Sequence, residues 1–293
     1  ASSSYFDLNP ARSDAWLFFS YVSLSEGIGI HPAYLSLFLA FSVLFLIYEL
    51  PLLKTGFVRA ALCALILYFS IFIVFLSSRI ILLGLSVVFV AVLVRSIRTN
   101  QRSTAFAVAF VSLVFGFLIF LNPVSRYRSL QEINSSTFEI SPHHQYTTAA
   151  QIRASLWWLA VKSVTTSNAF FGIGTGDVEK AMEEQGKQYA ISNTIHSFDP
   201  HNQFLYTLLA NGYPGMFLLF LCLGLPAFFG WIKRDYLLLG FLFLFCSLCL
   251  TESALELQKG IVFYSLFSAL FFFHLNSFQT VNLDFRSVLH GGN

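Results

Sequence analysis

The sequence has little charge. Only 11% of its 293 residues are Asp, Glu, Lys or Arg, whereas a soluble domain usually carries about 25%. Hydrophobic residues make up 56% of the chain, 35 residues are Phe, and the mean hydropathy is +0.69. This composition excludes a soluble globular domain and predicts an integral membrane protein, because few polar side chains are left to cover a water-exposed surface.

Clusters of metal-binding or disulfide-forming residues are scarce as well. Two of the four cysteines have CxxC spacing, but all four lie inside apolar runs, so we interpret them as buried packing residues. His143 and His144 are adjacent and point apart on either a helix or a strand, so we interpret them as loop residues rather than a metal pair. The four cysteines are Cys63, Cys222, Cys246 and Cys249.

The beginning of the chain shows neither a signal peptide nor an initiator Met. Residues 1–30 are mixed polar and aromatic instead. We therefore expect residues 1–293 to form a single integral membrane domain that is the C-terminal part of a longer protein.

Long apolar runs dominate the remainder of the sequence. A helix needs about 20 mostly apolar residues to cross a bilayer. The runs predict an all-α, polytopic bundle of about seven transmembrane helices, of which the third and sixth are short. The seven runs cover residues 33–50, 57–76, 80–94, 105–121, 214–229, 236–250 and 260–273.

Lys and Arg occur in alternate loops between these runs. Short loops rich in Lys and Arg remain in the cytoplasm, so seven spans place all of these loops on one side of the membrane. The other side then holds residues 1–31, the Ser-Ser-Arg turn, residues 251–260 and the long segment 122–200, which we expect to be a loop subdomain that carries catalytic and binding residues. The basic loop residues are Lys54, Arg59, Arg95, Arg98, Arg102, Lys233, Arg234 and Arg286.

Residues 147–164 have the spacing of an amphipathic helix. Arg153 and Trp157 share one side of it, one turn apart, and the tryptophans favour a position at the membrane surface. A single arginine there is most simply a solvated or headgroup-facing charge, so Arg153 gains functional weight only together with other residues. The apolar positions of the opposite side are Ile152, Leu156, Leu159 and Ala160.

A glycine-rich turn follows. Gly172, Gly174 and Gly176 predict a flexible turn, and Asp177 is placed to cap a helix that runs to about Gln185. Glycines in front of a helix can hold phosphate. No strand precedes them, however, and a plain turn is the favoured interpretation.

Asp199, Pro200, His201 and Asn202 stand together in front of an apolar run. Asp is a good N-cap and Pro fits the first helical position, so His201 is predicted in the first turn of a short surface helix over 200–210. The positive end of the helix dipole disfavours imidazolium there, and we expect a neutral His201 that can accept a proton. A second capping or packing role is the alternative. The residues that interrupt this helix are Asn211, Gly212 and Pro214.

Arg79 is a single charge between two long apolar runs. Charges at such depth are rare, tend to face protein or water, and mark functional sites by default. The alternative is a boundary arginine that reaches the lipid headgroups. We favour the functional interpretation.

Four of these motifs occur together in one order. They comprise an Arg after an apolar span, Arg-x3-Trp, a Gly-x-Gly turn, and His-Asn-x-aromatic-Leu followed by Gly-x-x-Gly, which Gly212 and Gly215 supply. The set resembles the O-antigen ligase and polymerase superfamily of bacterial membrane glycosyltransferases, over about residues 30–275. Family members are usually longer, with ten or more spans. The matching stretches are HPAYLSLFLAF (31–41), LSSRIILLGL (76–85), RASLWWLAVKSV with FFGIGTGD (153–177) and DPHNQFLYTLLANGYPGMFLL (199–219).

The resemblance implies a GT-C-like helical fold and a reaction on the periplasmic face of the bacterial inner membrane. In that reaction, a preassembled glycan passes from undecaprenyl diphosphate to an acceptor hydroxyl, with inversion and without a required metal or other cofactor. The implied partners are this lipid-linked donor, a lipid A–core or other glycan acceptor and membrane lipids, but no nucleic acid.

The resemblance also assigns residue roles. Arg79 and Arg153 would bind the diphosphate and offset its growing charge. His201 would accept the proton of the acceptor hydroxyl or position that hydroxyl, and Asn202 would orient the imidazole or bind sugar. The further residues expected to contact substrate are Trp157, Gly172, Gly174 and Asp199.

Several functions share these features. O-antigen ligase is the leading interpretation, and O-antigen polymerase and protein O-oligosaccharyltransferase use the same donor chemistry with other acceptors. A polysaccharide transporter or flippase would need charged or broken helices near the bilayer midplane, and Arg79 is almost the only such residue. A membrane scaffold predicts that Arg79, Arg153 and His201 lie far apart.

Overall fold

The computed structural model describes residues 21–53, 56–122, 148–166, 170–189 and 197–273. Helices, turns and loops account for all of these residues, and no strand occurs among them. His143, His144 and Arg286 lie outside the described ranges. The chain divides into two compact units: one comprises Ala1–Ile140 with His144–Ile152, and the other comprises Ser141–His143 with Arg153–Asn293.

The first unit is a bundle of apolar helices. The large side chains at its centre, such as Leu37, Ile66 and Ile81, are completely buried. The rings of Phe89 and Phe115 meet edge to face at 5.4 Å. The helices are α1 (Tyr21–Glu26), α2 (Pro32–Glu49), α3 (Gly56–Leu76), α4 (Arg79–Arg98) and α5 (Arg102–Leu121), with a 3-10 turn at Leu50–Leu52 after α2.

The two ends of this bundle differ in chemistry. At one end, Arg59 of α3 donates hydrogen bonds to the hydroxyl of Ser103 and to the carbonyl of Leu50, near the basic junction between α4 and α5. At the other end, the Asn122 amide donates to the carbonyl of Val74 at 3.0 Å. Along the chain, the junctions between successive helices of this bundle therefore alternate between its basic end and its other end.

The second unit contains the other helices of the described residues and includes α6 from Arg153 onward. Phe241 is completely buried in this unit and packs among rings of the helix Gln258–Phe273, including Phe263 at 5.7 Å and Phe271 at 5.6 Å. The helices are α6 (Ala149–Thr166), α7 (Val178–Gln188), α8 (Gln203–Lys233), α9 (Tyr236–Cys249) and α10 (Gln258–Phe273), with a 3-10 turn at Ala254–Glu256.

Helices α8 and α9 form an antiparallel hairpin. Arg234 takes a left-handed conformation at the turn, with φ of 55°, and the Asp235 carboxylate caps α9 by accepting from the Leu238 N–H at 3.0 Å. Gly230 approaches Leu238 closely, which a larger residue would hinder. The hairpin therefore brings the start of α8 and the residues after α9 to the same end.

A predicted interruption of the long helix is confirmed. Within α8, Gly212 has φ of 62° and ψ of −157°, so two helical segments meet there. Glycine adopts this conformation at no steric cost. Pro214 follows in the first turn of the second segment, where its missing N–H removes no helical hydrogen bond.

All seven predicted apolar runs are helical, which confirms the all-α polytopic bundle. Two of them, Tyr236–Cys249 and Gln258–Phe273, are shorter than a usual span. The third run was predicted to be short, and this was wrong, because α4 has 20 residues and includes the flanking arginines. The five long enough to cross a membrane are Pro32–Leu52, Gly56–Leu76, Arg79–Arg98, Arg102–Leu121 and Gln203–Lys233.

Candidate active site

His201 lies immediately before α8 and not in its first turn. The prediction of Asp199 as the N-cap was wrong, because the helix starts at Gln203 and its N-cap is Asn202. The Asn202 Oδ1 accepts from the N–H groups of Phe204 and Leu205 at 3.0 and 3.1 Å. Asn satisfies two of the exposed helical donors in this way. Asn and Asp are about equally good N-caps, so residue preference alone does not decide between these two positions.

The backbone of His201 is held in an unusual conformation. Its φ is 45°, in the left-handed region that residues other than glycine rarely adopt. The Asp199 carboxylate accepts from the His201 N–H at 2.6 Å and from the Ser253 hydroxyl at 2.6 Å. Asp199 therefore fixes the loop that presents the imidazole, instead of capping the helix.

Glu252 connects the two residues that the sequence singled out in this unit. Its Oε1 accepts from Arg153 Nη2 at 3.0 Å, and its Oε2 lies 3.3 Å from His201 Nδ1. The Glu252 side chain is 9% exposed, whereas those of Arg153 and His201 are 33% and 37% exposed. A nearly buried carboxylate thus joins two groups that still reach solvent.

The loop that carries Glu252 is fastened to the start of α8. Gln203 accepts from the Leu255 N–H at 2.6 Å and donates to Glu256 at 3.2 Å. The Asn202 amide donates to the carbonyl of Leu250 at 3.2 Å. These bonds, together with that between Ser253 and Asp199, hold the loop on both sides of Glu252.

The charge around His201 raises its pKa above the usual 6.5. The hydrogen bond to Glu252 is the largest cause, and the charges of Glu252 and Asp199 act in the same direction. Burial and the positive charge of Arg153 lower the pKa by less. The expected effect of the helix dipole on the pKa of His201 therefore has the wrong sign, because the nearby carboxylates raise this pKa. A neutral His201 that accepts a proton stays a prediction.

Arg153 projects from α6, whose opposite side is packed into the unit. Leu156, Leu159 and Ala160 have no exposed surface, which confirms most of the predicted apolar face. A guanidinium has five N–H donors in a fixed fork. In the described part of the chain, one Arg153 donor is used by Glu252, so the group is positioned and still has donors to offer.

Trp157 lies one turn after Arg153 on α6. Its indole nitrogen is inaccessible to solvent and has no hydrogen-bond acceptor among the described residues. A buried donor without an acceptor costs about 1–3 kcal/mol. The neighbouring Trp158 instead packs edge to face on Tyr189, the residue directly after α7, at 4.7 Å.

The Gly-x-Gly turn is part of the break in α8. Tyr213 N–H donates to the carbonyl of Phe170 and not to its usual helical partner, while Ile173 and Gly174 donate to the carbonyls of Leu209 and Ala210 at 2.9 and 2.8 Å. Pro214 has no N–H for Ala210, and Gly174 supplies that missing donor. The predicted plain turn therefore exists with a specific backbone partner, and substrate contacts by Gly172 and Gly174 stay a prediction.

We expect Gly212→Ala to destabilise the protein by about 2–4 kcal/mol, through left-handed strain and overpacking. An added Cβ would collide with the Phe170 backbone, and one on Gly172 would lie 2.5 Å from the carbonyl oxygen of Ala210. Gly224→Ala in the same helix is the matched control, because nothing lies within 4 Å there. Unfolding of the purified variants in detergent measures the difference, and equal stability of both would contradict a tight backbone contact.

Arg79 opens α4 in the first unit. Ser77 before it is left-handed with φ of 50°, and Ser77 and Ser78 are both buried, so the turn is tight. Arg79 itself is partly exposed. The predicted meeting of Arg79 with the second-unit residues Arg153 and His201 stays a prediction.

Glu252 was not among the residues that the sequence singled out. The available signal was a carboxylate shortly after a mostly apolar helix, on the side predicted for Arg153 and His201. A charge that becomes buried normally needs an opposite charge or hydrogen bonds. Within the described residues, no group of three or more His, Cys, Asp or Glu side chains is placed to hold a metal ion.

Comparison with known proteins adds one match. Residues 63–220 match the sequence model of a family described as O-antigen ligase. This range covers more than half of the chain and includes Arg79, Arg153 and His201, whereas Glu252 lies beyond it. No curated protein and no solved structure matches the chain.

Proposed function

The chain belongs to the O-antigen ligase family, and from that premise we propose that it transfers a preassembled glycan from undecaprenyl diphosphate to an acceptor hydroxyl. The observation that carries the proposal is the joining of Arg153 and His201 through Glu252. One carboxylate thereby holds both a cation that is suited to phosphate and a group that can take a proton. Transfer of a glycan from a diphosphate to a hydroxyl uses both groups.

The proposed reaction is a direct displacement. The acceptor oxygen attacks the anomeric carbon of the donor glycan, and the bond between that carbon and the diphosphate oxygen breaks with inversion. Undecaprenyl diphosphate leaves with the bonding electron pair, and the acceptor proton passes to His201. General-base catalysis of this type contributes about 10²–10⁴-fold to the rate.

Arg153 is the proposed contact for the leaving diphosphate in this unit. Arginine recognises phosphate through paired N–H donors, and its charge offsets the negative charge that grows as the bond breaks. The solvent-inaccessible Trp157 N–H, one turn away, has no acceptor among the described residues. A substrate oxygen would reach this nitrogen only after the surrounding side chains move, so contact of Trp157 with substrate stays a prediction. Arg79 is the proposed second cation.

The basic turns support a site on the periplasmic side. In the second unit, Lys233 and Arg234 occupy the α8–α9 turn, and His201 and Glu252 lie at the opposite end of that hairpin. In the first unit, Arg79 begins the helix whose last turn contains Arg95 and Arg98. Basic turns remain in the cytoplasm, so each of the proposed catalytic residues is assigned to the other face of the inner membrane.

The acceptor is the lipid A–core in the leading form of the proposal, which makes the protein an O-antigen ligase of lipopolysaccharide biosynthesis. O-antigen polymerase is the second candidate, because its growing-chain acceptor uses the same donor and the same catalytic groups. Both forms place the acceptor hydroxyl beside His201.

We expect membranes that contain the full chain to convert an undecaprenyl diphosphate-linked glycan and lipid A–core into a glycosylated lipid, detected by mass spectrometry. Parallel reactions contain a second lipid-linked repeat unit or a Ser/Thr peptide as acceptor, and a chelator arm is expected to leave the rate unchanged. Membranes without the protein are the control. Movement of the donor across the bilayer without any new glycosidic bond would contradict the proposal and favour a flippase.

A further inference from the structure

We infer that Glu252 is the positioning residue of this transfer reaction, holding the imidazole of His201 with Nε2 available to the acceptor and Arg153 available to the diphosphate. The inference rests on the proposed function, and Glu252 lies outside the range that matches the family. Its basis is the position of one carboxylate between both groups, with one oxygen directed to each.

The geometry specifies the tautomer of His201. An ionised carboxylate only accepts hydrogen bonds, so the imidazole nitrogen that faces it, Nδ1 at 3.3 Å, carries the proton. The other ring nitrogen, Nε2, then has a free lone pair and is the one that accepts a proton from a hydroxyl. Without Glu252, the two neutral tautomers would compete.

Burial makes the arrangement specific. At 9% exposure, the Glu252 carboxylate has little contact with water, so its charge is compensated by protein groups, of which Arg153 and His201 are two. When His201 takes up the acceptor proton, the imidazolium forms beside this charge and is stabilised by it, as in other carboxylate–histidine pairs.

The attachment of the loop depends on other side chains. Ser253 donates to Asp199, and Gln203 binds both Leu255 and Glu256. Removing the charge of Glu252 therefore leaves these loop contacts in place. This makes it possible to separate a role in positioning and proton affinity from a role in folding.

Among the residues that the structure describes, the charged groups that face His201 come from three segments. Glu252 lies in the loop after α9, Asp199 is on the segment that carries His201, and Arg153 projects from α6. The first two raise the pKa of His201, and the third lowers it. A Gln at position 252 keeps a neutral hydrogen-bond acceptor for Nδ1. It removes the hydrogen bond to an ionised carboxylate and the negative charge of Glu252, both of which raise the pKa of His201.

The direction of the pH effect follows from this. His201 accepts the acceptor proton only while neutral, so the rate rises as the pH increases through its pKa. In Glu252→Gln that pKa falls, and the acidic limb of the profile of kcat/KM moves to lower pH by about one unit or more. The plateau rate falls by about 10-fold or more, because the imidazolium formed during transfer is no longer compensated.

We test this with the full chain in membranes, with kcat/KM measured from pH 5 to 9 for wild type, Glu252→Gln, Glu252→Asp and Glu256→Gln. Glu256 lies in the same loop and contacts Gln203, so Glu256→Gln is expected to retain the wild-type profile. Glu252→Asp is expected to retain the position of the acidic limb at a lower rate. An unmoved acidic limb in Glu252→Gln would overturn the inference.

A second measurement is made on the wild-type protein and uses a variant only to assign one signal. Nitrogen NMR of ¹⁵N-histidine-labelled wild type, with the His201 signal assigned by its absence in His201→Asn, reports which ring nitrogen carries the proton. The expected neutral form is protonated on Nδ1, and an Nε2-protonated form would overturn the inference. If wild type makes no product, or His201→Asn retains full activity, the proposed function fails instead, independently of the NMR result.

Discussion

Arg153→Ala is expected to reduce glycan transfer by about 10³-fold, because the variant loses a preorganised cation at the position where negative charge develops. The arginine is held for this purpose by Glu252 at 3.0 Å on an otherwise packed helix. Transfer is measured in membranes with the lipid-linked donor, at equal amounts of inserted protein. Near-normal activity of Arg153→Ala would remove Arg153 from the proposed diphosphate site.

Arg153→Lys distinguishes charge from geometry. Lysine keeps a positive charge but lacks the planar fork that binds two phosphate oxygens. We expect partial activity, between those of wild type and Arg153→Ala. Arg98→Ala is the matched control, because Arg98 is an exposed arginine at a helix end on the predicted cytoplasmic side, and its removal is expected to leave transfer unchanged.

The same substitution also has a cost in stability that must be separated from its effect on activity. Arg153→Ala leaves the Glu252 charge, which is 9% exposed, without one of its partners. Breaking a buried ion pair costs about 3–5 kcal/mol, and the partial exposure of Arg153 reduces this to about 1–3 kcal/mol. The double variant Arg153→Ala, Glu252→Gln removes both charges. We expect it to recover stability but to transfer glycan far more slowly than Glu252→Gln alone, and that difference measures the chemical contribution of the Arg153 guanidinium.

Arg79→Ala is expected to cause a loss of transfer similar to that of Arg153→Ala. The reason is its position on a tight turn of two buried serines at the start of α4. A headgroup-facing arginine would instead tolerate the change. This variant therefore tests the part of the proposed site that belongs to the first unit.

Much of the fold followed from local patterns. Apolar runs long enough for a membrane predicted the helices, because the backbone can satisfy its hydrogen bonds in lipid only within helices or closed barrels. The break in α8 was also visible as Asn-Gly followed by Pro214. What the pattern could not reveal was the partner of that break, since the Phe170–Gly174 turn lies about forty residues away in sequence.

The candidate site was only partly predictable for the same reason. Arg153 and His201 attracted attention because each is polar within an oily chain. Glu252 did not attract attention, since a carboxylate beside a span end usually faces solvent. Its burial depends on contacts with residues 99 and 51 positions away in sequence. The expected effect of the helix dipole on the pKa of His201 was wrong for the same reason. A nearby buried charge has more influence on a pKa than the dipole of a surface helix.

His201→Asn is expected to reduce transfer by about 10²–10⁴-fold, the contribution of a lost general base. Asn is the informative replacement because it tolerates the left-handed backbone that His201 adopts with φ of 45°. The loop held by Asp199 and Ser253 therefore persists, and the loss comes from the ring. His201→Ala would add backbone strain to the same chemical defect.

Added imidazole provides the decisive control for His201. The ring is 37% exposed, so removing it opens a space that reaches solvent. If His201 accepts the acceptor proton, imidazole in solution should restore part of the activity of His201→Ala, increasingly so as the pH rises and more imidazole is neutral. If His201 only positions the hydroxyl, rescue should be equal for protonated and neutral imidazole. A pH-independent rescue would therefore retain His201 in the site but exclude it as the proton acceptor.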